Sequence, residues 1–370
     1  MPKQNKNELN LEVKDVDTSI INGIRRVCLS EYITVAFNID DYINSDLKVI
    51  KNTCGLHNEF LLHRVGLIPI HTSPELFDVN KYNFILKKKN EGNTIINVTT
   101  EDFKVIDTET GKNIDPKQFF PPNEKNSYIL ITKLKPNPNN KGEEIHIEGK
   151  ASKNNGKKHA RYQPVSCITY NNKRDPDKVQ KALDKYLKEN NDSDKEVNLR
   201  TQFDLSFADR YFYTNSEGIC NYFEMYIESL GIESPEKILL GCIDILSNKL
   251  LKFKTAVSNI VENKAEDEMI TLDISLENMK SYIITAENES HTLGNLIQFH
   301  ALKYFDRKKL PFIGYKNPHP LKKNIEIKIS TQNNTPEEIN EIITITCDKI
   351  IAILEGLKKQ LAKNYKEAEI

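Results

Sequence analysis

Tyr222-Phe223-Glu224-Met225-Tyr226-Ile227-Glu228, then Ser234-Pro235-Glu236 and apolar positions through Phe253, is a pattern this chain writes twice. The second copy reads Asn324-Ile325-Glu326-Ile327-Lys328-Ile329, then Thr335-Pro336-Glu337 and apolar positions through Leu361. Each copy predicts a strand running into a capped, amphipathic helix. Phe223, Met225 and Ile227 fall on one strand face, with Glu224, Tyr226 and Glu228 on the other. Ile325, Ile327 and Ile329 repeat this against Glu326, Lys328 and Ser330. Ser234 and Thr335 suit a helix N-cap, where a side-chain oxygen accepts from orphan backbone donors. Pro235 and Pro336 follow at the first helical position, where a missing N–H costs nothing. The acidic residues after them suit the positive end of the helix dipole. In the second helix Ile339, Ile342, Ile343, Thr346, Ile350, Ile353, Leu354, Leu357 and Leu361 form a broad stripe. A helix from Pro336 to Leu361 is about 39 Å long. That exceeds what a small sheet covers, so part of the stripe is expected to face another helix.

The repeat reaches further back. Asp17-Thr18 leads into Ile20, Ile21, Ile24, Val27 and Cys28, with Asn22 inside; His291-Thr292 leads into Leu293, Leu296, Ile297, Ala301 and Tyr304, with Asn295 inside. Both read as short amphipathic helices with a threonine near the cap. Asn295 and Pro336 are 41 positions apart, whereas Asn22 and Pro235 are 213 apart. The first copy therefore carries about 172 extra residues, a domain-sized insertion. Equivalent units in one chain bury equivalent faces against each other. The expected inter-unit packing set is Ile21, Ile24, Leu246, Leu250, Leu296, Ile297, Ile343, Ile350 and Leu357.

The expected architecture is α+β. Residues 1–71 and 201–253 form the first unit, 72–200 an inserted domain, 254–280 a linker and 281–370 the second unit. The inserted region reads as mostly β, with strands near 94–99, 128–134, 145–149 and 165–170. Pro121-Pro122 and Pro136-Asn137-Pro138-Asn139-Asn140 supply the turns between them. Residues 171–200 are highly charged, with a short helix expected near 177–188. The linker holds no Pro or Gly, which leaves room for helix or strand.

The 370 residues carry a net charge of −1, from 52 basic and 53 acidic side chains. That balance excludes a protein that coats nucleic acid through a basic excess. Lys87-Lys88-Lys89 and Lys308-Lys309 read as solvated surface. Met1-Pro2-Lys3-Gln4-Asn5 lacks the apolar core of a signal peptide. No apolar run approaches the ~18 residues of a membrane span, so a soluble, intracellular chain is expected. The six cysteines stand alone at 28, 54, 167, 220, 242 and 347. None forms a Cys-x-x-Cys pair, and most read as small buried hydrophobes.

The one stretch that offers chemistry is Cys54-Gly55-Leu56-His57-Asn58-Glu59-Phe60-Leu61-Leu62-His63. Cys54, His57, Glu59 and His63 are zinc-ligand types, and they define the alternative reading, a metal-dependent hydrolase. Their spacing fits neither His-Glu-x-x-His nor a knuckle. The plainer reading is a polar helix or loop before Arg64-Val65-Gly66-Leu67-Ile68-Pro69-Ile70. There is no phosphate loop, no Gly-x-Gly-x-x-Gly and no Gly-x-Ser-x-Gly elbow. Asp15 with Asp17, and Asp40 with Asp41 and Asp46, read as solvated carboxylates. No catalytic, cofactor or metal residue is assigned.

Asn22-Gly23-Ile24-Arg25-Arg26-Val27 and Leu56–Pro69 together resemble the start of the larger α-like subunit of multisubunit RNA polymerases. That group includes subunit three of eukaryotic RNA polymerase II, its archaeal counterpart D and the bacterial α subunit. Lys158-His159-Ala160-Arg161-Tyr162-Gln163-Pro164-Val165 resembles a loop of the same family's inserted domain, and Phe223 to Phe253 its returning strand and helix. Glu289-Ser290-His291-Thr292-Leu293-Gly294-Asn295-Leu296 and Phe312–Leu321 resemble the smaller partner, subunit eleven or archaeal L. The resemblance covers nearly the whole chain and is weakest over 75–125 and 171–200. Many larger subunits carry a cysteine cluster for zinc or an iron–sulfur cluster; this sequence departs from them, and no metal or other cofactor is expected.

The resemblance implies a noncatalytic assembly platform of a DNA-directed RNA polymerase. The partners it implies are the largest and second-largest subunits, which hold the catalytic magnesium, and small polymerase subunits, with DNA reached only through the complex. Carried over by motif, Arg25, Arg26, His57, Glu59, His63, Arg64, His159, Arg161 and Tyr162 are the contacts expected toward the large subunits. Arg25 and Arg26 are expected on an exposed helix face. Fusion of the two partners in one chain resembles the arrangement in some large cytoplasmic DNA viruses. By that analogy the setting is viral transcription in the host cytoplasm or the virion.

Overall fold

In a computed structural model the protein is described over residues 6–40, 44–136, 142–190, 196–262, 269–275 and 281–368. Asp41 and the expected turn at Asn137–Asn140 lie outside the described residues, as do parts of the expected linker. The chain opens with β1 (Glu8–Lys14), α1 (Thr18–Ser30), β2 (Ile33–Ala36), β3 (Leu47–Asn52) and α2 (Asn58–Gly66). A strand-rich stretch follows: β4 (Tyr82–Lys89), β5 (Ile96–Thr99), β6 (Phe103–Asp107), β7 (Asn113–Ile114), β8 (Leu130–Leu134), β9 (Glu144–Gly149), β10 (Ser152–Asn155) and β11 (Val165–Asn172). Then come α3 (Pro176–Asn190), α4 (Glu196–Ser206), β12 (Tyr222–Ser229) and α5 (Pro235–Val261). The chain continues with β13 (Ile270–Ser275), β14 (Ser281–Glu287), α6 (His291–Tyr304), β15 (Phe312–Lys316), β16 (Asn324–Ser330) and α7 (Pro336–Ala368). The fold is α+β.

The described residues group into two compact units. One holds Cys28–Ser166 and Glu228–Ile238 with 6–7; the other holds Glu8–Val27, Cys167–Ile227 and the chain from Leu239 onward. The first is rich in strand. Its five-stranded sheet runs β3-β9-β4-β6-β7, beside the pairs β5-β8 and β10-β2. Its core is aromatic: Phe37 meets Phe84 edge-on at 5.2 Å, and Phe103 stacks on Phe120 at 4.8 Å. This unit begins well before residue 72, where the sequence pattern starts the insertion. β2 pairs with β10 (Ile33 opposite Asn155) and β3 with β9 (Leu47 opposite Gly149). At the other end β11 leaves it for the sheet β1-β12-β11.

The second unit contains the second copy of the repeat and, of the first, β12 through Ile227 and α5 from Leu239 onward; the cap between them, within Glu228–Ile238, groups with the strand-rich unit. The three-stranded sheet β1-β12-β11 belongs to the first copy, and β13-β14-β16-β15 to the second. Phe223, Met225 and Ile227 are buried, as are Ile325, Ile327 and Ile329. The caps correspond: Lys237 N–H donates to Ser234 Oγ at 3.3 Å and Glu338 N–H to Thr335 Oγ1 at 3.4 Å. The repeat extends to backbone conformation. Asp15 and Asn288 both have positive φ, 59° and 57°, and each stands three residues before its helix, α1 or α6. Asp and Asn tolerate this left-handed conformation better than most side chains. α5 continues to Val261 and β13 occupies 270–275, so much of the stretch read as a linker is regular structure.

The long helices α5 and α7 are antiparallel. Asp244 pairs with Lys358, Lys254 with Asp348 and Ser258 with Asn340, so partners descend in α7 as they rise in α5. Eight of the nine residues of the expected packing set are at most 4% exposed; Leu357 is half-buried. A Cβ on Gly23 would sit 3.4 Å from Leu246 and 3.5 Å from Leu296, so α1 touches both α5 and α6.

Candidate functional site

Helix α2 presents two faces. Leu61, Leu62, Val65 and Gly66 are buried. His57, Glu59, Phe60, His63, Arg64 and Leu67 point outward and are exposed. Phe60 is 69% and Leu67 63% exposed, unusual for side chains that gain about 1.5–3 kcal/mol from burial. Their spacing of seven, with His63 and Arg64 between, places them on one helix stripe. Arg64 ties this stripe to β8: its Nε donates to Ile131 O at 2.8 Å and an Nη to Leu130 O at 2.9 Å. Ile129 and Leu130, next to that anchor, are 47% and 38% exposed. The surface is therefore apolar and fringed by charge.

The loop entering α2 is fixed from within. Asn52 Nδ2 donates to Leu56 O and to Asn58 Oδ1, both at 2.8 Å. Cys54 is half-buried, and its Sγ accepts from Thr132 Oγ1 at 3.7 Å. Among the described residues no three His, Cys, Asp or Glu side chains come together as a metal-ligand set. The set offered by Cys54, His57, Glu59 and His63 is therefore not assembled.

The loop at 157–163 joins the same unit. His159 Nδ1 accepts from Arg161 N and Arg161 Nε, both at 3.1 Å. Partial burial, and next the Arg161 guanidinium, hold the His159 imidazole below the usual histidine range; the charge on His63 adds to this. His63 on α2 and His159 on the loop are thus electrostatic neighbours. Arg161 itself is buried, donating to Phe37 O at 2.8 Å and pairing with Asp40 at 2.9 Å. A Cβ on Gly66 would fall 2.6 Å from Ile39 and 3.1 Å from an Arg161 nitrogen, so glycine is what lets α2 close on this strut. Tyr162 is fully buried: its carbonyl accepts from Thr34 at 2.7 Å and its hydroxyl meets Ser152 at 2.9 Å. Arg161 and Tyr162, read from the sequence as outward contacts, brace the loop from inside.

Arg25 and Arg26 belong to the other unit. Both are half-buried rather than exposed. Arg25 donates to Asn22 on its own helix at 3.0 Å. Arg26 Nε donates to Thr292 Oγ1 on α6 at 2.8 Å. Nearby lies a pair that sequence reading missed. His300 Nε2 is 3.0 Å from Asp17 Oδ2, and both side chains are buried. Asp17 also caps α1, accepting from Ser19 N at 2.9 Å and Ile20 N at 3.3 Å. The only advance signal was an aspartate directly before an apolar helix; its partner stands 283 positions away.

Two like modules, each a strand running into a long helix, thus meet through α1 with α6 and α5 with α7. Comparison with known families agrees. Residues 10–126 and 281–360 each match an RNA polymerase Rpb3/Rpb11 dimerisation domain. The chain belongs to this family of RNA polymerase α-like subunits and carries two such domains. It is 30% identical to a conjugation stage-specific protein of Tetrahymena thermophila over 43% of this chain and 54% of the relative. It is 32% identical to the RNA polymerases I and III subunit rpac1 of Dictyostelium discoideum over 44% of this chain and 49% of the relative. With RPAC1, the corresponding subunit of Saccharomyces cerevisiae, it shares 25% identity over 65% of this chain and 82% of the relative. The chain thus spans about half the length of the first two relatives. Among the described residues no helix is long and apolar enough to cross a membrane.

Proposed function

We propose that this protein is a noncatalytic assembly platform of a DNA-directed RNA polymerase, on which the largest and second-largest subunits dock. The carrying observation is the presence of two dimerisation domains in one chain, with their helices already packed together. On this reading the fusion replaces a heterodimer, and pairing no longer depends on the concentration of a second chain. Small polymerase subunits complete the assembly, and DNA is met only through the complex.

The docking surface on the strand-rich unit is the outward stripe of α2 with its neighbours. His57, Glu59, His63 and Arg64 provide charge and hydrogen bonding around Phe60 and Leu67, and His159 extends the polar rim. Burying aromatic and aliphatic anchors inside such a rim is how durable interfaces gain affinity. Arg161 and Tyr162 hold the loop in register. Arg25 and Arg26 offer a second patch on the other unit, with Arg26 also tying α1 to α6.

Co-expression with the two large subunits and size-exclusion chromatography tests this. The wild-type chain should co-elute with at least one large subunit and incorporate no nucleotide alone. Phe60→Asp with Leu67→Asp should fold normally, since both side chains are already exposed, and should cut co-elution by at least about tenfold. Full retention of binding by this variant would move the docking face elsewhere. Absence of co-elution by the wild type would remove the platform reading.

A further inference from the structure

Between β11 and β12 the chain builds an amphipathic pair, α3 and α4, whose apolar side is incompletely covered. No side chain of α3 is fully buried. Tyr186 packs on Phe203 and Phe207, each at 5.5 Å between ring centroids, and Phe203 stacks on Tyr211 at 6.2 Å. Beside these rings is a hollow of about 510 Å³, and Lys178, Lys181 and Lys185 stand along its edge. Positions 178, 181 and 185 follow helical spacing, so the three ammonium groups flank the aromatic floor on one side.

We infer that this groove binds a short acidic segment of a partner polypeptide, with an aromatic or aliphatic side chain anchored on the rings. Charge complementarity selects that occupant. Among the described residues four charged side chains line the hollow, and Glu189 is the one acidic member. Asp204 and Asp209 are turned away, engaged with Arg174. Lys178 is held by Phe212 O at 2.9 Å and Thr214 Oγ1 at 2.8 Å, so Lys181 and Lys185 receive the ligand carboxylates. Lys185 meets Glu189 at 3.8 Å with both side chains more than 60% exposed, a pair weak enough to exchange partners. A long polyanion fits less well. Over 176–190 and 196–211 there are six basic and six acidic side chains, so no bulk positive field draws in a phosphate backbone. The attraction is local and suits a few carboxylates placed around one anchor.

The test is fluorescence anisotropy on the full chain, with a labelled peptide alternating glutamate with phenylalanine and leucine. The expected result is salt-sensitive binding, weakened about tenfold or more by Lys181→Glu with Lys185→Glu. Both lysines are exposed, so the variant should keep the fold, checked by an unchanged melting curve. Lys322→Glu with Lys323→Glu, distant in sequence and also exposed, should leave binding intact. Absence of peptide binding, or binding insensitive to the Lys181/Lys185 change, would overturn the proposal. So would tighter binding of a single-stranded oligonucleotide lost in the same variant, which would make this a nucleic-acid site.

Discussion

Asp17 does two jobs with one carboxylate. One oxygen caps α1 and the other meets His300 of α6. Burial works against its ionised form, but the bond and charge of His300, with Ser19 and the Ile20 N–H, outweigh it and hold the carboxyl below the usual aspartate range. A folded-state pKa below the unfolded value stabilises the protein above the ordinary aspartate range. That contribution is lost as pH falls through the folded value. Asp17→Asn keeps a capping oxygen and removes the charge. It should cost about 2–3 kcal/mol at neutral pH, read by urea unfolding, and should flatten the loss of stability on acidification. An acid limb identical to wild type would show that Asp17 carries no part of it. Arg161 teaches the same lesson about reach. Its motif was legible, but its burial was not, because Phe37 O and Asp40 lie more than 120 positions upstream.

Among the strands and helices, the repeat was legible because its signals are local. Alternation, a hydroxyl cap, a proline and a stripe all lie within one strand or helix, and β12, β16, α5 and α7 appear where those signals put them. The extent of the strand-rich unit was not. β2 and β3 are short, and their partners β10 and β9 lie about a hundred residues onward, so no local pattern joins them. The exposed stripe on α2 was half legible: the polar residues stood out, while nothing local in the sequence marks Phe60 and Leu67 as outward-facing. The α5–α7 pairing shows which forces matter. Leu250 and Ile350 are fully buried, whereas Lys254 and Asp348 are 22% and 52% exposed. Leu250→Ala or Ile350→Ala should cost about 2–5 kcal/mol, and Lys254→Ala less than about 1 kcal/mol. Denaturant midpoints at constant slope would measure both. A Lys254 effect as large as the core effects would mean that the ion pair, not packing, holds these helices.

For the chain in its entirety, the deciding matter is whether the two modules need each other. Ile21, Leu246 and Leu250 from one, and Leu296, Ile343 and Ile350 from the other, are at most 1% exposed. α5 and α7 lie along each other, and α1 touches α6 through Arg26, Asp17 and Gly23. Separated, each module would present an apolar helix face to water, at about 25 cal/mol per Å² of exposed apolar surface. Neither should then persist as a stable monomer. Cutting the chain between Glu262 and Met269 converts their pairing from intramolecular to bimolecular. A short connection holds tethered partners at an effective concentration near the millimolar range, so at about 1 µM the cut should cost on the order of 4 kcal/mol. The cut pair should co-elute, and its melting temperature should rise with protein concentration, whereas that of the intact chain should not. Differential scanning fluorimetry across a dilution series distinguishes the cases. Two cut pieces that each melt cooperatively alone, at a temperature indifferent to dilution, would show that the modules are self-sufficient and that their packed helices are a convenience rather than the foundation of the fold.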